Sequence, residues 1–219
     1  MGMTADLFER FPDSNPTQEV MAEGAVLLLG FAGPVEADLI ADLREIVEQA
    51  PFRHMMTPGG HPMSVAMTNC GGFGWVTDRS GYRYDAHDPE TGSPWPAMPS
   101  SFRMLAGQAA DRAGFAGFLP DACLINRYCP WARMSLHQDR DECDFGAPIV
   151  SVSLGLPAIF LFGGSKRGDK PHRFRLLHGD IVVWGGPARL RFHGVAPLAD
   201  GEHAIVGRQR INLTFRKAR

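Results

Sequence analysis

Apolar residues recur at helical spacing in only two stretches of the chain. After Pro34, Leu39, Ile40, Leu43, Ile46 and Val47 fall on one side of a 3.6-residue period. Glu36 and Asp38 sit in the first turn, where the helix dipole favours acids, so a helix is expected to start there. A second helix is expected from Pro99 to Ala113, stopped by Gly114. Elsewhere the period is two or the apolar run is short. Ala22 to Phe31, Ala122 to Tyr128, Ile149 to Leu154, Ala158 to Phe162, Arg173 to Leu177, Ile181 to Trp184 and Ile205 to Phe215 read as strands between turns. That spacing argues for an antiparallel barrel or jelly roll. Residues 51–99 are dense in Gly, Pro, Met and aromatics, with short strand-like pieces and no long helix. So irregular a segment inside a compact domain is usually functional or disordered. Residues 1–21 are polar, contain Pro and show little periodicity, as expected of an arm, and there is no internal repeat.

The last strand alternates strictly, with Arg208, Arg210, Asn212, Thr214 and Arg216 on one face and Ile211, Leu213 and Phe215 on the other. At an edge, the polar row would face water. Turned inward, Arg210 and Arg216 would stand about 20 Å apart along the strand at roughly 3.3 Å per residue. Two side chains reaching toward each other would then leave a gap near the length of a five-carbon dicarboxylate, and guanidinium forks bind carboxylates bidentately.

Upstream lies His137-Gln138-Asp139, and further on His193 in Phe192-His193-Gly194. Two imidazoles and a carboxylate are the ligand set of a non-haem Fe(II) oxygenase. Residues i and i+2 of a strand share a face, so His137 and Asp139 are expected to hold an ion from one strand while His193 arrives from another. The pair alone is weak evidence, because a chain with eight His readily shows one such spacing by chance.

Composition narrows the class. At 219 residues and 44% hydrophobic content the chain suits one domain, and a formal net charge of -2 carries no global nucleic-acid signature. Any basic footprint must be local. Lys166 to Arg175 holds five Lys/Arg against one Asp, and Arg133 and Arg140 flank the His-x-Asp segment. A solvated hairpin would look the same as a phosphate-binding loop. Cys70, Cys123, Cys129 and Cys143 form neither a CxxC pair nor a disulfide framework, so reduced thiols in a cytoplasmic protein are expected. The N-terminus lacks the order of a signal peptide, and no apolar run is long enough to span a bilayer, so no membrane is involved. Ser151 and Ser153 have no Gly-x-Ser-x-Gly elbow, which argues against a hydrolase.

Taken in order, Asn126-Arg127-Tyr128, Pro130, His137-Gln138-Asp139, Asp141-Glu142, His193 and Arg210-x-Asn212-x-x-x-Arg216 resemble the AlkB-type Fe(II)/2-oxoglutarate dioxygenases, which demethylate alkylated nucleobases. The resemblance extends to Pro58-Gly59-Gly60, the run from Met63 to Gly71, Trp95 to Pro99 and Val182 to Gly186, nearly the whole chain. It implies a mainly β, α+β fold: a double-stranded β-helix (jelly roll) core over 118–219, N-terminal helices, and a nucleotide-recognition lid over 51–99, all one domain of 1–219. It assigns Fe(II) to His137, Asp139 and His193, and 2-oxoglutarate to Asn126, Tyr128, Arg210, Asn212 and Arg216, with O2 as oxidant. Arg210 and Tyr128 would take the distal carboxylate, and Asn126 and Arg216 the end nearer the metal. The damaged base would meet Met67, Trp75, Tyr82, Ser135, Asp141 and Arg167.

The chemistry agrees with that placement. Methylation at N1 of adenine or N3 of cytosine makes the base cationic, and a cation gains from an aromatic face. Asp141 would accept from the exocyclic amine or else pair with Arg167. A lesion that cannot pair is also cheaper to extrude. The implied reaction is oxidative demethylation of alkylated DNA, single- or double-stranded, with RNA left open, by a monomer. Two other classes stand beside it: a dioxygenase acting on a protein or small metabolite, and a non-catalytic jelly-roll module. The chain departs from the family pattern at Trp131, where Gly usually follows Pro130, at Met134, where Leu is usual, and at His61, where an aromatic is common. Trp184 is expected near the metal, His178 in a hairpin turn, and His54, His61, His87, His172 and His203 facing solvent.

Overall fold

The computed structural model describes residues 18–219. The expected arm therefore lies outside the described residues up to position 17, and from Gln18 onward the chain is strand. The run expected as one strand from Ala22 to Phe31 is instead the second half of a hairpin, in which β1 (Gln18–Ala22) and β2 (Ala25–Leu28) pair antiparallel. Gly24 makes the turn at φ +76°, and a Cβ there would lie 2.5 Å from the carbonyl oxygen of Gly185. Only glycine meets both demands.

Both helices form where the periodicity places them. α1 (Glu36–Gln49) buries Leu39, Ile40, Leu43 and Ile46, and α2 (Ser100–Arg112) buries Phe102, Leu105, Ala106, Ala109 and Ala110. The Ser101 hydroxyl donates to the Asp42 carboxylate and ties α2 to α1. Removing a fully buried member such as Leu39 to Ala would cost about 2 to 5 kcal/mol.

The remaining strands are β3 (Ala66–Gly71), β4 (Gly74–Asp78), β5 (Gly81–Asp85), β6 (Ala122–Tyr128), β7 (Met134–His137), β8 (Ile149–Gly155), β9 (Ala158–Phe162), β10 (His172–Leu176), β11 (Ile181–Trp184), β12 (His193–Val195) and β13 (Arg210–Arg216). They form a seven-stranded sheet in the order β1-β2-β11-β8-β13-β6-β3, a four-stranded sheet β10-β9-β12-β7, and the separate hairpin β4-β5. Every ladder is antiparallel. The jelly roll thus draws β1, β2 and β3 from outside residues 118–219, and β3 makes part of the expected lid an edge of the main sheet. Ile205 is not in the last strand; it is 47% exposed in the loop before it.

Three layers result. Val26, Leu28, Ile125, Val150, Val152, Ile181, Val183, Ile211, Leu213 and Phe215 pack one face of the large sheet under the helices. The other face, through Leu27, Leu124, Tyr128, Ile149, Val182 and Trp184, packs on Phe160, Phe162, Leu176 and Val195 of the small sheet. Because β13 lies between β8 and β6, its polar row points into this second layer and not to water. Arg210, Asn212, Thr214 and Arg216 are all at most 6% exposed. A buried polar row needs internal partners, and those partners define the site.

Candidate active site

His137 ends β7 and His193 begins β12, directly opposite each other in the register, with ring centroids 4.4 Å apart. Asp139 does not share the strand with His137, as the i, i+2 reading expects; it follows the end of β7. It still converges on the histidines. His137 Nε2 is 3.6 Å from Asp139 Oδ1, His193 Nε2 is 3.8 Å from Oδ2, and one donor atom from each residue lies within 4.8 Å of the others.

Each ring turns its other nitrogen to a carbonyl. His137 Nδ1 is 2.9 Å from Ser135 O, and His193 Nδ1 is 3.0 Å from Arg191 O. With the proton on Nδ1, the Nε2 lone pairs face the common centre, as metal ligation requires. Burial, aided by His137, pushes His193 down to about 4, against the pull of Asp139. Its ring is therefore neutral at ordinary pH. Burial alone would raise the Asp139 carboxyl, but Arg216 and then the two imidazoles hold it well below the usual carboxylate range. A neutral His193 imidazole and an ionised Asp139 suit Fe(II).

Behind the metal ligands, the Arg216 Nε and Nη2 both donate to Asp139 Oδ2, at 2.9 and 2.7 Å, while its Nη1 is buried without a partner. Arg210 is 1% exposed and donates only from Nη2, 2.9 Å from Ser153 Oγ. Its Nε and Nη1 have no partner, its guanidinium lies 5.1 Å from the Tyr128 ring centroid, and no carboxylate among the described residues pairs with it. An uncompensated buried cation is costly. A carboxylate ligand supplies what the fold withholds, so these residues fit the distal end of 2-oxoglutarate. Asn126 contributes an unpartnered Oδ1 and donates to Asn212 Oδ1 at 3.3 Å. The Asn212 amide is fully engaged, donating to Ser151 Oγ and Val152 O and accepting from Thr214. It aligns neighbours and has no free donor. Trp184, 1% exposed, sets its ring 4.9 Å from that of His193.

A cavity of about 610 Å³ opens over this centre. Its wall brings together Met67, Trp75, Tyr82, Ser135, Asp141 and Arg167 with His137, Asp139 and Arg216, and adds Arg133 and Arg140. Arg210, Tyr128, Asn126 and Asn212 stand behind the wall, not on it. Trp75 of β4 and Tyr82 of β5 are stacked, centroids 5.6 Å apart at 20°, so the pair offers an outer face and no slot between the rings. Asp141 does not pair with Arg167: its Oδ2 accepts from Trp75 Nε1 at 2.7 Å, and the Arg167 guanidinium lies 5.9 Å from the Phe192 ring.

One part of the site gave no sequence signal. Glu142, 6% exposed, accepts from Tyr84 Oη at 2.7 Å and from Arg189 Nη2 at 3.0 Å, and lies 3.4 Å from Arg216 Nε. Arg189 also donates to the backbone oxygens of Asp139 and Ala147. Asp141-Glu142 matched the family, but nothing in the spacing linked Glu142 to residues so far along the chain. Of the remaining histidines, His54, His61, His87 and His172 are exposed as expected. His203 is half-buried and stacked on His178 at 4.3 Å, while His178 itself bonds Glu36. The basic stretch spans the β9-β10 turn and most of β10, and from it Arg167 alone reaches the cavity wall.

Residues 24–216 match the 2OG-Fe(II) oxygenase superfamily. The chain is 57% identical over 212 residues to the Alpha-ketoglutarate-dependent dioxygenase AlkB of Escherichia coli (strain K12), covering 97% of this chain and 98% of that protein. It is 49% identical over 173 residues to the Alpha-ketoglutarate-dependent dioxygenase AlkB homolog of Caulobacter vibrioides (strain NA1000 / CB15N), 78% of this chain and 77% of the other. Among solved structures, that of OsALKBH1 superposes with a TM-score of 0.80 at 27% identity, covering 92% of this chain and 100% of that one.

Proposed function

The chain belongs to the 2OG-Fe(II) oxygenase superfamily, and from that premise we propose that it repairs nucleic acids by removing methyl groups from alkylated bases, N1-methyladenine and N3-methylcytosine in DNA. The observation that carries this reading is the pairing of a His137, Asp139, His193 cluster with a buried, carboxylate-free Arg210 under a cavity faced by stacked aromatics. Fe(II), 2-oxoglutarate and O2, when bound, supply the oxidation: 2-oxoglutarate leaves as succinate and carbon dioxide, the N-methyl group gains a hydroxyl, and the product sheds formaldehyde to restore the base.

The protein binds, orients and shields. His137, Asp139 and His193 hold the metal, their tautomers set by the carbonyls of Ser135 and Arg191. Arg210 over Tyr128 takes the distal carboxylate, Asn126 and Arg216 Nη1 take the end nearer the metal, and Asn212 keeps Asn126 in line. At the open side, the outer face of the Trp75-Tyr82 stack receives a cationic methylated base, Asp141 balances its charge, Met67 and Ser135 line the wall, and Arg167 meets phosphate. Water is kept from the reacting atoms by the layer around Trp184 and Phe160. A monomer suffices. Reduced cysteines and the absence, among the described residues, of a helix able to cross a membrane support a cytoplasmic place.

The test is single-turnover mass analysis. Protein loaded anaerobically with Fe(II) is given 2-oxoglutarate, oxygen and an oligonucleotide with one N1-methyladenine. Methyl loss requiring all three additions is the expected result. Succinate formed with the methyl retained would keep the oxygenase and reject the nucleic-acid substrate.

A further inference from the structure

The loop that delivers β7 to the metal site holds a tryptophan in an expensive posture. Trp131 has φ +73°, the sole non-glycine residue with positive φ among those described, and it is 72% exposed. A bulky side chain in the left-handed region costs about 1 to 2 kcal/mol, and such strain marks places where something other than folding holds the residue. The turn is rigid. Trp131 N–H donates to Leu198 O at 2.8 Å, Leu198 N–H to Ala132 O at 3.0 Å, and Ala132 N–H to Cys129 O at 3.0 Å, with Pro130 fixing the corner. The indole itself makes no ring contact, cation–π contact or hydrogen bond with any described residue. A lone exposed apolar residue is ordinary; a strained, braced and partnerless indole is a platform prepared for a ligand.

The neighbours say which ligand. Arg133, two residues on, lines the cavity and is clamped to the lid, its N–H donating to Ser64 Oγ at 3.1 Å and its carbonyl accepting from that hydroxyl at 2.8 Å. Arg140 and Arg167 share the cavity wall. An exposed aromatic two residues from a cavity whose wall carries three arginines fits the pattern that binds single-stranded nucleic acid, base on ring and phosphate on guanidinium. Resting on the proposed repair function, we infer that Trp131 stacks an unpaired base flanking the lesion and so extends the binding site beyond the cavity along a single strand.

Trp131→Gly, Trp131→Leu and Trp131→Phe separate this role from folding, since glycine relieves the strain at that turn. KM is measured on a single-stranded 12-mer carrying one N1-methyladenine and on the N1-methyladenine mononucleotide, which has no flanking base. Leu and Gly should raise KM on the 12-mer about tenfold and Phe only about two- to threefold, with no change on the mononucleotide. Equal changes on both substrates, or none on either, would overturn the inference. If neither substrate is demethylated, the repair reading falls, and anisotropy with an unmodified 12-mer still decides: equal affinity of the native chain and Trp131→Leu refutes stacking.

Discussion

Arg216 spends two of its donors on one oxygen of Asp139, Oδ2, so the residue of β13 nearest the metal grips the carboxylate ligand from behind and leaves Oδ1 turned toward His137. Lysine is a point donor and cannot reproduce that fork. Arg216→Lys should weaken Mn(II) or Co(II) binding about 10- to 100-fold, in keeping with other partners that orient metal ligands, as read by calorimetric titration. Unchanged metal affinity would show that Asp139 is oriented by something else.

Arg189 should matter although it touches neither cavity nor ligand atoms. Its removal in Arg189→Met leaves Glu142 Oε2 in the interior without its cation, only Oε1 keeping Tyr84 and Arg216, and frees the backbone of Asp139. Breaking a buried pair costs about 3 to 5 kcal/mol, which urea denaturation would register. Adding Glu142→Gln should recover part of that loss if the stranded charge is its source, while metal affinity stays low.

Gly194 follows His193 in β12 and packs closely on β7. A Cβ there would stand 2.6 Å from Met134 O and 3.1 Å from Ser135 O. Gly194→Ala should push β12 from β7, part His193 from His137, and lower metal affinity at least tenfold with little change in helix content by circular dichroism. Retained affinity would mean that the ladder yields elsewhere.

Much of this was legible beforehand. The strands Ala122–Tyr128, Ala158–Phe162 and Ile181–Trp184 begin and end where they were expected, because compact β-branched and aromatic runs bounded by Pro and Gly leave few alternatives. β7 and β12 were expected only as the strands that carry His137 and His193, without bounds: Met134-Ser135-Leu136-His137 is short and mixed in polarity, and three residues at His193 carry no period at all. The alternation in β13 told which residues share a face but not which face is wet. An edge strand and a central strand with an internal polar row read identically until their neighbours are known. Spacing and family likeness pointed to His137, Asp139 and His193, which the fold brings together, and to the residues proposed for the carboxylates. Tyr84, Glu142 and Arg189 meet across 58 and 47 residues of chain, and lone polar residues that far apart leave no pattern.

Trp75→Phe keeps a ring beside Tyr82 and removes the indole N–H that holds Asp141. We expect KM for a methylated oligonucleotide to rise several-fold with affinity for the unmodified strand nearly unchanged, since only the cationic base uses both groups. Trp75→Ala should fall further on the methylated strand. Equal losses on both strands would remove the stacking role.

Acid sensitivity should begin where Arg53 meets Asp88. Asp88 is 5% exposed and accepts from Arg53 at 2.5 and 2.6 Å. Burial opposes its charge, but Arg53 and the Glu90 N–H prevail, and the carboxyl titrates below its ordinary value. A depressed folded-state value means the stabilisation is complete above the unfolded value near about pH 4 and is lost as pH falls through the lower folded value. Arg53→Met should flatten that part of the stability–pH curve. An unaltered curve would place the acid lability elsewhere.

β13 comes last in chain order among the described strands, yet it fills the gap between β8 and β6. A polypeptide still emerging from the ribosome would therefore hold two half-sheets, β1-β2-β11-β8 and β6-β3, each with an open hydrogen-bonding edge facing the other. The two halves pair with each other only through β13, and that strand carries both arginines. Completion of the fold and arrival of the anion-binding groups are thus one event, so a partly made chain has exposed edges to protect and no immature oxygenase activity to restrain.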